Sequence, residues 1–107
     1  MNNDLAHTVA SAYAERVQKR EISIVSDIFY RQNPDSIDIY TVLNTPRAER
    51  MPMMGTPAAR DYHFLGEVRE GIRRQFRYPI NFHQLSEPDT GEEGIKRLTE
   101  GATKLAA

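Results

Sequence analysis

Residues 21–43 read EISIVSDIFYRQNPDSIDIYTVL. In an extended chain successive side chains alternate faces, so Ile22, Ile24, Ile28 and Tyr30 share one face, while Val25 and Phe29 lie on the other with Ser23 and Asp27. A strand that is apolar on both faces suits a central place in a sheet. Asn33-Pro34-Asp35-Ser36 then supplies turn chemistry, because Pro presets φ and Asn or Asp side chains bond to nearby backbone. The period of two resumes with Ile37, Ile39, Thr41 and Leu43 opposite Asp38, Tyr40 and Val42. The stretch predicts two adjacent strands joined as an antiparallel hairpin.

On either side the period becomes helical. From Asp4 to about Lys19, Leu5, Val9, Ala12, Tyr13 and Val17 recur at spacings of three and four, and Asn3 or Asp4 can cap the exposed N–H groups at the start. Asn44 to Thr56 follows neither period. It holds Pro46, Pro52 and Gly55 with Met51, Met53 and Met54, and predicts a long loop. Thr56-Pro57 reads as an N-cap followed by Pro at the first helical position, and Leu65, Val68, Ile72 and Phe76 carry a second helix to about Arg77. Tyr78 to Leu85 alternates as a third strand. Pro79 cannot donate to a ladder and so favours the start of that strand or an edge. After a loop from Ser86 to Gly91, Ile95, Leu98, Ala102 and Leu105 trace a last helical face, weakened by Gly94 and Gly101.

The predicted architecture is a single α+β domain over residues 1–107, in the order αββαβα, with a small, mainly antiparallel three-stranded sheet packed against helices on one face. A length of 107 residues suits one core and not two. Fourteen basic and 15 acidic residues leave a formal charge of -1, so any attraction to phosphate backbones has to be local. The chain contains no Cys, which excludes disulfides and thiolate chemistry. Met1-Asn2-Asn3-Asp4 carries an acid where a signal peptide carries bases, and no run is long and apolar enough to span a bilayer. A cytoplasmic protein without membrane association is the expectation.

The chemistry-bearing residues are few. Asp61, His63, Glu67 and His83 are candidate metal ligands if the third strand packs beside the second helix, where His63 and Glu67 share a face. The same spacing makes an ordinary surface pair, and the second His of a His-Glu-x-x-His helix is missing, so neither metal nor cofactor is expected. Arg69, Arg73, Arg74 and Arg77 could meet phosphates, although Glu67 and Glu70 interleave with them. Neither a nucleophile elbow nor a phosphate-cradling glycine loop is present.

The order helix, strand, Asp35-Ser36 turn, strand Ile37-Asp38-Ile39, helix, strand Ile80-Asn81-Phe82 resembles a minimal nucleotidyltransferase. The resemblance matches Asp38 alone to that family's metal-binding acids: Ser36 and Asn81 stand where two further acids would be, and the family's Gly-Ser pair is missing. Two divalent ions need several carboxylate oxygens, so the resemblance implies a degenerate, non-catalytic member.

The leading functional expectation is a non-catalytic interaction or regulatory module, a homodimer or a subunit of a larger assembly. Its docking surface would be the second sheet face, with Phe29 and Tyr40, together with the adaptable Met51, Met53 and Met54. Two alternatives stand beside it: a degenerate metal- or nucleotide-binding domain, and a nucleic-acid binder using the Arg residues of the second helix.

Overall fold

The computed structural model describes residues 3–47 and 55–105. Helix α1 (Asn3–Lys19) leads into the hairpin β1 (Val25–Gln32) and β2 (Ile37–Leu43), helix α2 (Pro57–Phe76) follows the loop, and β3 (Ile80–Ser86) follows α2. Two short helices, α3 (Glu87–Thr90) and α4 (Glu92–Leu98), precede a two-residue strand β4 (Thr103–Lys104). The chain is an α+β domain around one mixed sheet of order β3-β2-β1-β4. Among the described residues no helix is long and apolar enough to cross a membrane.

From Asp27 to Gln32 the hairpin forms as the alternation dictates, but a bulge between Val25 and Asp27 reverses it, so Val25 pairs with Leu43 and packs against the main core instead of sharing the face of Phe29. Phe29 faces Tyr40, Tyr30 faces Ile39 and Arg31 faces Asp38, and the turn closes with the Asn33 N–H donating to Ser36 O at 2.8 Å. Thr56 caps α2 by accepting from the Ala59 N–H at 3.1 Å, with Pro57 at the first helical position. Pro79 precedes β3, and β3 is an edge strand.

Three expectations are corrected. The sheet has four strands, and β3 runs parallel to β2, with Ile37 beside Ile80 and Leu43 beside Ser86. Parallel neighbours need a crossover, and α2 supplies it, so β2 acquires a partner on each side and all seven of its residues are buried. The last helix stops at Leu98 and does not continue to Leu105. Thr99 Oγ1 bonds back to Ile95 O at 2.8 Å, Gly101 takes a φ of 84° that a side chain would resist, and the chain returns as β4 beside β1. Leu98, assigned by its spacing to an apolar face, is 51% exposed.

The third correction concerns the second sheet face. Helices α1 and α2 cover the face of Ile37, Ile39, Thr41 and Leu43, where Val9, Tyr13, Leu65 and Ile72 complete the core. β3 and β4 are opposite edges of the sheet, and the chain between them carries α3 and α4. Ile95 of α4 is buried outside the main core, and Tyr40 and Val42 on the second face are buried as well. Tyr40, with the His83 ring stacked on it and Arg31 over it, keeps only 6% of its surface in solvent, so this face is not the open docking patch expected for it.

One polar bond lies inside the main core: Tyr13 Oη and Thr41 Oγ1 are 2.8 Å apart, and burial pushes the Tyr13 hydroxyl up to about 12. Tyr13→Phe leaves the Thr41 hydroxyl buried without that partner, and urea unfolding should show a loss of about 1–2 kcal/mol. An unchanged midpoint would mean that the pair contributes nothing net.

Candidate functional site

The register brings together the residues around Asp38. Arg31 is its partner across β1 and Asn81 its partner across β3, while His83, beside Tyr40, is the next residue on the same face of β3. Asp38 Oδ2 accepts from Arg31 Nε at 3.2 Å, Arg31 Nη2 at 2.8 Å and Asn33 Nδ2 at 2.9 Å. Oδ1 accepts from Asn81 Nδ2 at 3.1 Å and faces His83 Nε2 at 3.1 Å. The His83 ring stacks on Tyr40 with centroids 4.6 Å apart, and Arg31 lies 5.7 Å over the same Tyr40 ring.

Burial alone would raise the Asp38 pKa. The hydrogen bonds from Asn33, His83, Arg31 and Asn81 outweigh it and hold the carboxyl well below the usual carboxylate range. A carboxylate held ionised by five donor contacts is a poor general base. Its neighbours present hydrogens to it and not the oxygen lone pairs a divalent cation needs. Asn81 and Ser36, at the two places where the nucleotidyltransferase resemblance calls for acids, belong to this donor network: Asn81 bonds to Asp38 directly, and Ser36 Oγ accepts from Asn33.

The other candidate ligands do not converge. Asp61 is buried and accepts from Ser23 N and Oγ at 2.9 and 3.0 Å. His63 pairs with Glu67 at 3.3 Å on the exposed side of α2, where Glu67 also meets Arg20 at 2.9 Å. Among the described residues no group of three or more His, Asp or Glu side chains could hold a metal ion.

The four Arg residues divide. Arg73 pairs with Glu70 at 2.9 Å and lies 5.0 Å over the Phe82 ring. Arg74 lies in a cleft with Glu67 and Glu70, and Arg77 ends the helix in a left-handed conformation with φ of 49°. Arg69 lines a second cavity on α2. Met51, Met53 and Met54 lie outside the described residues.

That cavity, of about 600 Å³, opens along α2 and is lined by Thr56, Arg60, Tyr62, His63, Gly66 and Arg69 among others. None of its described lining residues is acidic. The Arg69 guanidinium stands 6.0 Å from the Tyr62 ring, and its Nη1 is buried without a hydrogen-bond acceptor among the described residues. Gly66 lies in the middle of a 20-residue helix, where glycine costs about 1 kcal/mol relative to Ala. Its missing side chain does not make room for a packed neighbour, since a Cβ there would meet only Arg69 Nη2 at 3.6 Å. What the glycine leaves open is the floor of the groove.

The spacing of Tyr62, Gly66 and Arg69 on one flank of a helix was readable in the sequence, but the orphaned guanidinium was not, because it depends on what α2 packs against. No protein-family model, curated protein or solved structure matches this chain.

The Asp38 network makes a stability prediction. Asp38→Ala orphans the Asn81 amide, leaves the Asn33 amide only Ser36 Oγ and removes the carboxylate partner of Arg31, and should lower unfolding free energy by about 3 kcal/mol. Since folding lowers the pKa, the contribution of Asp38 is fully present above its unfolded value of about 3.9 and declines as pH falls below it. Urea midpoints measured from pH 7 down to pH 2 should therefore fall more steeply for the wild type than for Asp38→Ala. Parallel curves would exclude the network as their source.

Proposed function

We propose that this chain is a non-catalytic binding module whose working surface is the cationic groove along α2, where it receives an anionic group of its partner. The observation that carries this reading is Arg69, a guanidinium with a buried Nη1 that lacks an acceptor among the described residues, beside a helix glycine whose place no described side chain fills. A buried donor without an acceptor costs about 1–3 kcal/mol and more when charged, so a carboxylate or phosphate from outside gains what the fold leaves unsatisfied. Arg60, 3.5 Å from Asp61, lines the same groove.

The binding reading keeps the interaction module expected from the sequence and moves its surface. Tyr40 is buried beneath the second face and Phe29 is half-buried, so neither offers an open docking patch. Catalysis has little to work with, because Asp38 is engaged on both oxygens.

Thermal unfolding with inorganic phosphate and with glutarate tests this. A saturating anion at about ten times its Kd should raise the wild-type Tm by roughly 5 °C, and should leave Arg69→Gln unmoved relative to its own baseline. Gly66→Ala should stabilise the helix by about 0.5–1 kcal/mol while reducing the anion's effect. If neither anion moves the wild type, or if both move Arg69→Gln equally, the groove is not an anion site.

A further inference from the structure

The groove runs beside an open sheet edge. The Ile37 N–H donates to Pro79 O at 3.0 Å, and in a strand the N–H and C=O of one residue point the same way. Positions 79, 81, 83 and 85 therefore face β2, and the backbone groups of Phe82 and Gln84 point outward. Among the described residues no strand pairs with that side of β3. An unpaired strand edge is a template for another strand unless charge, Pro or a covering element blunts it, and Pro79, which faces β2 and precedes the strand, leaves the outer side of β3 open.

The flank of α2 that lines the groove stands next to this edge. Tyr62 Oη donates to Gln84 Oε1 at 3.0 Å, and Arg73 lies over Phe82. A strand laid along β3 would turn alternate side chains toward that flank, over the floor at Gly66 and against Arg69.

We infer that the partner is an extended acidic peptide segment that adds as a strand to the outer edge of β3 and sets an Asp or Glu side chain against Arg69. The inference rests on the anion-binding reading above and names its ligand. Two other occupants fit less well. A second copy pairing through its own β3 would offer Ile80, Phe82 and Gln84 on the helix side, with no carboxylate for Arg69, and would bring two cationic flanks together. A nucleic acid would satisfy the guanidinium but not the alternating donors and acceptors of a strand edge.

The test is selection of a random dodecapeptide library, displayed on phage, against the immobilised full chain, followed by fluorescence anisotropy with the enriched peptides. Enriched sequences should carry Asp or Glu at alternate positions, and Arg69→Gln should weaken them about tenfold or more. Methylating the peptide amides that face β3 should abolish binding, and methylating the alternate set should not, a comparison that leaves the protein untouched. Gln84→Pro, which removes one outward N–H, should act like the first set if its circular dichroism matches wild type.

Acidic peptides that tolerate both methylation patterns would overturn strand addition and leave the anion groove standing. Failure to enrich any peptide, with Arg69-dependent binding of a dT12 oligonucleotide, would replace the peptide with nucleic acid. A dimer in sedimentation that Gln84→Pro dissociates would assign the edge to a second copy and overturn the inference. Absence of every one of these interactions would remove both readings.

Discussion

The parallel pairing of β2 with β3 is the constraint from which the rest of this fold follows. Two parallel neighbours cannot be joined by a tight turn, so the chain has to rise over the sheet, and α2 is the element that does so. That crossing shields one face of β2 and sets β3 on its free side. It also leaves β3 as the terminal strand, with α2 lying close enough for Tyr62 to bond to Gln84.

The same register decides what the polar residues become. Asp38 lies level with Arg31 on one side and Asn81 on the other, and the Asn33 side chain reaches it from the turn. A lone buried carboxylate would be costly to keep ionised, and these donors remove the cost. The outcome is a structural anchor that fastens three strands at one end of the sheet. Charge that a catalytic site would direct at a substrate is spent here inside the fold.

Arg69 shows the opposite arrangement. Arg20, Arg31 and Arg73 each find a carboxylate, whereas Arg69 is drawn inward beside Tyr62, near enough for its charge to bear on Tyr13, and its Nη1 finds no acceptor among the described residues. Buried polar groups are seldom left so without a purpose or an external partner. Such a donor costs stability in the free protein, and the binding function proposed above would recover that cost in the complex.

Local pattern determined the elements themselves. The alternation through Asp27–Leu43, the Asn33–Ser36 turn, the Thr56-Pro57 helix start and the demotion of the Pro79 strand to an edge all depend on side-chain period and backbone chemistry within a few residues, and such signals act wherever the segment finally lies; the bulge between Val25 and Asp27 carries no such signal. The short return strand Thr103–Lys104 was illegible because two residues carry no period, and Leu98 and Leu105 mimicked a helical face across the Gly101 turn. Tertiary structure alone decided that β3 is parallel, that Asp38 meets Asn81 and His83, that Tyr40 is covered and that Arg69 is orphaned. Each of these depends on groups far apart in the chain, and one sequence read by itself holds no record of which distant residues its packing will bring into contact.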